Sequence, residues 1–285
     1  MFVPRPQNRA CGMVGACLGL LLSSPGVLPA AETPNVVVIM ADDLGWGSVG
    51  CYGAAPAIVR TPHIDRLARE GRRFTDANTT SSVCSPTRYA LVTGRYCWRT
   101  SLQSEVLGTM APLHIEPGRL TIASLLKSRG YSTAAIGKWH LGYGTADRCD
   151  YTQELKPGPL EIGFDYHFGV PSNHGDLTGV YVENHWVFGL DRASPSSPSP
   201  PYTTQGDRKG NPPRTLDLNA AKRVDDEVMA TLTDKAVAWI DRQEAGRPFF
   251  LYFTPVAVHN PITPSKRNAG RSTGGSFCEI GRAHV

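Results

Sequence analysis

A cysteine, two aspartates and four basic side chains lie in short segments whose residue types and spacing could carry chemistry. Cys84 opens the segment Cys-Ser-Pro-Thr-Arg, which continues as Tyr-Ala-Leu-Val-Thr-Gly-Arg up to Arg95. Because Cys is rare and Pro and Arg each make up about 5% of residues, Cys-x-Pro-x-Arg should arise by chance about 0.01 times in a chain of this length. The segment therefore indicates a chemical role for Cys84, against the alternative of a buried cysteine beside a helix start.

Asp42 and Asp43 form the second candidate site, in the segment Ala-Asp-Asp-Leu-Gly. Adjacent carboxylates suit a hard cation such as Ca²⁺, which prefers oxygen ligands. On its own, Asp-Asp-x-Gly is more often a turn. In a chain that also carries the Cys84 segment, we interpret the two aspartates as metal ligands.

Lys138, His140 and His259 are the remaining candidates. Lys138 and His140 lie two residues apart in Gly-Lys-Trp-His-Leu-Gly, so both could project from the same side of an extended backbone. Imidazole exchanges protons readily near neutral pH, which makes both histidines candidate acids or bases. Several other histidines are interpreted as structural or surface groups, with the last two also candidates for a substrate cleft: His63, His114, His167, His174 and His185.

The Cys84 segment and the downstream Leu-Val-Thr-Gly-Arg together resemble the signature of the type I, formylglycine-dependent sulfatases, in the alkaline phosphatase superfamily. Gly-Lys-Trp-His-Leu-Gly resembles the second signature of that family. The resemblance runs from Thr33 to about Phe277, and Thr87 stands where the family more often has Ser. It implies an arylsulfatase-like sulfuric ester hydrolase that cleaves small-molecule or carbohydrate sulfate esters.

The resemblance also implies a modified nucleophile and a metal ion. A formylglycine-generating enzyme would convert Cys84 to 3-oxoalanine (formylglycine), whose hydrate carries two hydroxyls on one carbon. One hydroxyl would take the sulfo group, and the second would lose its proton and expel sulfate as the aldehyde re-forms. Asp42, Asp43 and the modified Cys84 would hold one Ca²⁺ ion, which suits such oxygen ligands.

Four further roles follow from the same resemblance. Arg88 would pair with the hydrate oxygens or hold the loop through its fork of donors. Lys138 would contact sulfate oxygens. His140 would act as the base for the second hydroxyl, and His259 would contact the sulfate ester and protonate the leaving oxygen.

Strands alternating with helices must position these residues. Continuous apolar or β-branched runs predict strands over 35–40, 131–136 and 249–253, and the first of these is expected to be buried on both faces. Apolar spacing and Pro or Gly at the ends predict helices over 62–71, 85–95, 121–129 and 223–245. Each strand is followed by one of the polar clusters. This order predicts an α/β fold, and the resemblance makes it alkaline-phosphatase-like: a mostly parallel central sheet with helices on both faces.

Domain organisation is predicted as a signal peptide over 1–31, an N-terminal sulfatase catalytic domain over 32–278, and a non-native tail over 279–285. The family pattern places two further metal ligands, another sulfate-binding Lys and a smaller C-terminal subdomain past residue 285, so we expect that subdomain to be missing here. We therefore expect the 285-residue polypeptide to bind calcium poorly and to hydrolyse little.

Net charge, apolar runs and cysteines bear on the kind of partner and on the location of the protein. The net charge is +4, of which Arg5 and Arg9 in the predicted leader supply two, and this mild balance argues against nucleic acid. No apolar run is long enough for a stable membrane anchor. The predicted signal peptide implies export, to the periplasm, the exterior or a lysosome depending on the source. Cys51, Cys97 and Cys149 are candidates for a disulfide whose pairing the sequence does not fix.

Two alternatives remain open from the sequence. One is a phosphate or phosphonate monoester hydrolase on the same fold. The other is a non-catalytic binding homologue, which the joint presence of all the candidate catalytic residues disfavours because binding alone needs no modifiable cysteine: Cys84, Arg88, Lys138, His140 and His259.

Overall fold

The structure is a computed structural model that describes residues 33–195, 216, 218–276 and 278–279. The chain divides into a short unit, Met1–Thr33, and a main unit, Pro34–Val285. The predicted signal peptide and all but the first residue of the predicted tail lie outside the described residues. Within the described part, none of the helices has both the length and the apolar character needed to span a membrane.

Six strands in the described part of the main unit form one sheet, with the order β1-β6-β2-β3-β4-β5. Their bounds are β1 Val36–Ile39, β2 Ser132–Lys138, β3 Tyr166–Val170, β4 Val182–Glu183, β5 Trp186–Val187 and β6 Phe249–Thr254. The four strands β1, β6, β2 and β3 run parallel, and the two short strands β4 and β5 are antiparallel. The prediction of a mostly parallel sheet is confirmed, although β3 to β5 were not predicted from the sequence.

The four predicted helices are present with shifted bounds: α1 Pro62–Glu70, α2 Cys84–Thr93, α3 Ile122–Lys127 and α4 Val228–Asp241. Helix α4 begins five residues later than predicted. Arg223 is tied down by a backbone bond to Gly179 and a buried ion pair with Asp176, at 3.0 Å, and Val224 is extended. These constraints hold the chain out of the helix until Val228.

Helices cover both faces of the sheet, as predicted. On one face, Ala236 and Trp239 of α4 pack against Ala134 and Ile136 of β2 and against Leu251 of β6. On the other face, helices α2 and α3 contribute to a larger core that contains the alternate strand residues: Tyr89, Val92, Ala123, Ala135, Phe250 and Tyr252. Alternate side chains of each central strand therefore enter different layers, which fixes the register of the sheet.

Strand β1 is not buried on both faces, and this prediction was wrong. Val36 and Val38 pack against the larger core, whereas Val37 and Ile39 are 46% and 61% exposed. The reason is position, because β1 is the edge strand and α4 lies over β2 and β3. A continuous apolar run therefore marked a strand correctly without fixing how much of it is covered.

The predicted disulfide does not form. Cys51, Cys97 and Cys149 are all free thiols, as are Cys84 and Cys278. Cys97 and Cys149 are buried in the larger core. Burial raises the pKa of both thiols, for Cys149 to about 12, so neither is poised to react as a thiolate.

Glycines allow the strands to meet closely at their C-terminal ends. Gly137 has a φ of 120°, and a Cβ there would lie 2.1 Å from the backbone oxygen of Thr254 on β6. Gly169 of β3 approaches β2 just as closely, since its Cβ would lie 1.9 Å from the Gly137 oxygen. No larger residue fits either position without moving a strand.

Replacing Gly137 should therefore damage the fold. We expect Gly137→Ala to lower the free energy of unfolding by at least about 2 kcal/mol, because Ala disfavours this φ and its methyl group collides with backbone. Gly47→Ala is the matched control, since a methyl group added at Gly47 would meet no atom within 4 Å and the backbone there has no positive φ. Equal unfolding midpoints in urea for the two variants would contradict the prediction.

A second stability prediction concerns the buried His167. Its Nδ1 lies 3.0 Å from the Ala135 carbonyl, to which it must donate, and its Nε2 lies 2.9 Å from the Tyr143 hydroxyl, from which it accepts. Burial lowers the pKa of His167 from 6.5 to about 4. Between these two pH values the unfolded chain binds a proton that the folded chain excludes, so stability is lost as pH falls.

We expect this histidine to cost up to about 1.4 kcal/mol of stability per pH unit as pH falls from about 6.5 to about 4. His167→Asn should be less stable at pH 7.5 but should lose stability less steeply over that range. Urea unfolding at several pH values measures both, and the exposed His63→Asn should follow the wild type. Parallel pH profiles for wild type and His167→Asn would exclude this role.

Candidate active site

The site is built on a buried carboxylate at the end of the edge strand. Asp42 is 5% exposed and is held by two backbone bonds to the loop after β6, from its N–H to Ala257 and from the Val258 N–H to its own carbonyl. Its carboxylate lies 2.6 Å from Lys138 Nζ and 3.5 Å from Arg88 Nη2. Burial raises the pKa of Asp42, but the charges of Lys138 and Arg88 outweigh burial and hold it below its usual value.

Lys138 and Arg88 bring two buried positive charges to this carboxylate. Lys138 is the last residue of β2, is fully buried, and places Nζ 3.1 Å from the Cys84 sulfur. Arg88 comes from α2, is 1% exposed, and donates through Nη1 to the Lys138 carbonyl at 2.7 Å. Two cations around one carboxylate leave an excess of positive charge in a buried place, which favours an anion.

Cys84 is the first residue of α2, where the helix has no side-chain cap. Its sulfur lies 3.8 Å from an oxygen of Asp42. Burial raises the pKa of the thiol, but interactions with His140 and His259 and the charge of Lys138 prevail and bring the pKa to about 5. An unmodified Cys84 is therefore a thiolate at neutral pH, and its sulfur marks where a modified side chain would carry oxygen.

His140 has one nitrogen committed and one available. Nε2 lies 2.8 Å from the Leu107 carbonyl, an acceptor, so Nε2 carries the proton. Nδ1 is buried near the Cys84 sulfur but has no partner in hydrogen-bond geometry. Burial lowers the pKa of His140 and outweighs the opposite effect of that sulfur. The ring is thus a neutral base with a free lone pair.

The structure brings Lys138 and His140 to Cys84, but not by the predicted geometry. His140 has a φ of 54°, so the backbone turns sharply there and does not continue extended. Backbone bonds from Trp139 to Val170 and from His140 to Pro171 hold this turn against the end of β3.

His259 complements His140 from the other side of the site. Its Nδ1 lies 2.5 Å from the Asn260 carbonyl, which leaves Nε2 directed at the site, 3.7 Å from a carboxylate oxygen of Asp43. The Cys84 sulfur raises the pKa of His259. The two imidazoles are therefore shifted in opposite directions, which is the pattern of a base and an acid.

Candidate ligands for a cation also lie at this cleft. Ligand atoms of Asp42, Cys84 and His259 lie within 4.8 Å of one another. Asp43 is half-exposed and lines, with Asp42, Cys84 and Arg88, a cleft of about 200 Å³. Two carboxylates beside a position that would carry hydrate oxygens form a donor set that Ca²⁺ accepts.

Ser85 is a site residue that sequence reasoning missed. Its buried hydroxyl donates to the His140 carbonyl at 2.9 Å and accepts from the Leu107 N–H at 3.1 Å. It thereby joins the His140 turn to the residue whose carbonyl fixes the His140 tautomer. Its place inside the Cys84 segment was the available signal, but nothing in the sequence indicated its partners.

Comparison with known proteins identifies the family of the chain. A sequence model of the sulfatase family matches residues 34–280. An N-acetylgalactosamine-6-O-sulfatase of Bacteroides thetaiotaomicron is 36% identical over 85% of this chain and 51% of the relative, and human arylsulfatase A is 34% identical over 93% and 49%. The chain thus spans about half the length of these curated relatives.

Comparison with solved structures also supports membership of this family. A solved structure from work on glycosaminoglycan metabolism by Bacteroides thetaiotaomicron superimposes with a TM-score of 0.79 and 34% identity, covering 88% of this chain and 56% of that one. This similarity confirms the predicted alkaline-phosphatase-like fold. With the family match extending over nearly all of the main unit, the chain belongs to the sulfatase family.

Proposed function

We propose that this chain carries the catalytic centre of a sulfate-ester hydrolase whose residue 84 works as formylglycine. The observation that carries the proposal is the position of the Cys84 sulfur. It lies 3.1 Å from Lys138 Nζ and 3.8 Å from an oxygen of Asp42, at the uncapped start of helix α2. It also interacts with His140 and His259, whose pKa values are shifted in opposite directions. A group at this point can meet an anion, lose a proton and be regenerated.

The proposed reaction has two steps. One hydroxyl of the residue 84 hydrate releases its proton to solvent in the open cleft and attacks sulfur as an alkoxide, the ester S–O bond breaks, and the electron pair goes to the leaving oxygen. His259 supplies the proton for that oxygen. His140 Nδ1 then takes the proton of the second hydroxyl, the bond from carbon to the sulfated oxygen breaks, and sulfate leaves as the aldehyde re-forms. No water needs to attack the hindered sulfur.

Lys138 and Arg88 have separate tasks in this proposal. Lys138 faces both the nucleophile and Asp42, so it can stabilise the charge that gathers on the sulfo group. Arg88 bonds the Lys138 carbonyl and the Asp42 carboxylate, and it holds α2 against β2. Asp42, Asp43 and the modified residue 84 would hold one Ca²⁺ ion, which polarises oxygen ligands when bound.

For the substrate, the maturation partner and the cellular location, we propose only a general class. A small-molecule or carbohydrate sulfate ester fits the excess positive charge of the site, and the relatives described above are named as sulfatases of both kinds. The family match does not favour a phosphate or phosphonate esterase or a binding homologue. A formylglycine-generating enzyme is the required maturation partner, and residues 1–31 are proposed to direct export.

The modification of Cys84 can be tested directly. Co-production with a formylglycine-generating enzyme should give a Cys84 peptide whose mass shows aldehyde in place of thiol, and Cys84→Ala should abolish turnover of 4-nitrophenyl sulfate. Cys84→Ser should stop after one transfer, because a single hydroxyl cannot expel the sulfo group. Activity is measured on the protein translated from the reading frame that contains this chain. An unmodified thiol in an active enzyme would refute the proposal.

Calcium binding is better tested at Asp43 than at Asp42. Asp42 pairs with two buried cations, so Asp42→Asn leaves uncompensated charge and confounds binding with unfolding. Asp43 is 57% exposed. In the protein from the reading frame that contains this chain, we expect Asp43→Asn to weaken calcium binding at least about tenfold by calorimetry while changing stability without calcium by less than about 0.5 kcal/mol.

Asp234→Asn is the matched control. Asp234 is an exposed residue of α4, far in sequence from Asp42 and Asp43, and its replacement removes the same charge. It should bind calcium as the wild type does. Equal loss of calcium affinity in both variants, or none in Asp43→Asn, would remove Asp43 from the proposed metal site.

A further inference from the structure

The segment that follows β3 lies against both histidine loops of the site. The His140 N–H donates to the Pro171 carbonyl at 2.9 Å, so the residues after Pro171 start beside the turn that carries His140. Three residues further on, His174 is 2% exposed. Its Nε2 lies 2.6 Å from Thr263 Oγ1, in the loop that carries His259. His174 therefore connects the end of β3 to that loop.

The other hydrogen bond of Thr263 shows which atom donates in the contact between His174 and Thr263. The Thr263 hydroxyl donates its single proton to the Asp225 carbonyl at 3.0 Å. It can then only accept from His174, so His174 Nε2 carries a proton. The other ring nitrogen, Nδ1, is buried without a hydrogen-bond partner, so the ring's hydrogen bonding is directed through Nε2 to Thr263. The result is a relay from His174 through Thr263 to Asp225, just before α4.

The loop that this relay holds carries the proposed acid. Thr263 lies four residues after His259, and the His259 ring is bonded to the carbonyl of its own neighbour, Asn260. That local bond orients the ring within the loop but does not place the loop in the site. The relay ties the far end of the same short loop to two other elements, so it can set where Nε2 of His259 stands.

We infer that His174 and Thr263 are positioning residues for His259, the group that protonates the leaving oxygen, an inference that rests on the proposed function. They act by holding the loop through Thr263 Oγ1. The consequence is specific to one step. When the S–O bond breaks, a weakly basic phenolate leaves without a proton, whereas a more basic oxygen needs the proton of His259.

Loss of the relay should therefore change leaving-group dependence. A series of aryl sulfates from 4-nitrophenyl to phenyl to 4-methoxyphenyl varies the basicity of the leaving phenol with little change in shape. For Thr263→Val we expect kcat/KM to fall about 10–100-fold on phenyl sulfate, as for a displaced catalytic group, and less than about threefold on 4-nitrophenyl sulfate. Thr263→Ser keeps the hydroxyl, so its kcat/KM should depend on the basicity of the leaving phenol as weakly as that of the wild type.

A double-mutant cycle separates this role from general damage to the fold. In a His259→Ala background the acid is already absent, so Thr263→Val should cost nothing further on phenyl sulfate. Thr273→Val, at an exposed threonine whose hydroxyl also meets a carbonyl, is the matched control and should show wild-type leaving-group dependence. An equal loss on all aryl sulfates, or full additivity with His259→Ala, would overturn the inference and leave the proposed function standing.

A measurement without turnover tests the relay itself. Long-range ¹H–¹⁵N NMR on the 285-residue chain should show His174 as the Nε2–H tautomer, and Thr263→Val should change its environment more than Thr263→Ser does. An Nδ1–H tautomer would overturn the relay whatever the activity. The kinetic measurements use the matured protein from the reading frame that contains this chain. Failure of that wild-type protein to cleave aryl and carbohydrate sulfate esters, with the tautomer as expected, would instead count against the proposed function.

Discussion

The contact on which the site depends is the buried pairing of Asp42 with Lys138 and Arg88. It joins the end of β1, the end of β2 and the first turns of α2, which are far apart in sequence. Charges this deeply buried are tolerated only when paired, and removing one partner typically costs about 3–5 kcal/mol. The same three side chains that give the site its charge therefore also hold together the elements that position Cys84.

Parallel strand order explains why so much of the site could be predicted from sequence. The apolar runs of β1, β2 and β6 were recognisable, and the carboxyl ends of adjacent parallel strands meet at one edge. Asp42 and His259 follow β1 and β6, and Lys138 is the last residue of β2, so their convergence needed only the sheet order β1-β6-β2. The exposed side of β1 was not predictable, because hydrophobicity marks a strand but not whether a helix reaches it.

The parts that sequence reasoning missed are set by single backbone atoms. The tautomer of His140 depends on the Leu107 carbonyl, and that of His259 on the Asn260 carbonyl. Neither acceptor is visible as a residue type, since every residue has a carbonyl. Strand β3 also escaped prediction, and with it the backbone bond through which Pro171 supports the turn at His140. Side-chain identity predicted which residues lie together, and backbone geometry decides which ring nitrogen of each histidine holds the proton.

Charge balance gives the proposed modification a second consequence besides its chemistry. With a pKa of about 5, an unmodified Cys84 is a thiolate, and it and Asp42 together balance Lys138 and Arg88. A neutral aldehyde hydrate at position 84 removes one of those negative charges and leaves the buried cations in excess. A bound Ca²⁺ ion would add to that excess more than Asp43 offsets, and a monoanionic sulfate ester would offset part of it at the place where the sulfur now lies. In the proposed enzyme, maturation would thus turn a site neutralised by its own cysteine into one that requires an anion from outside.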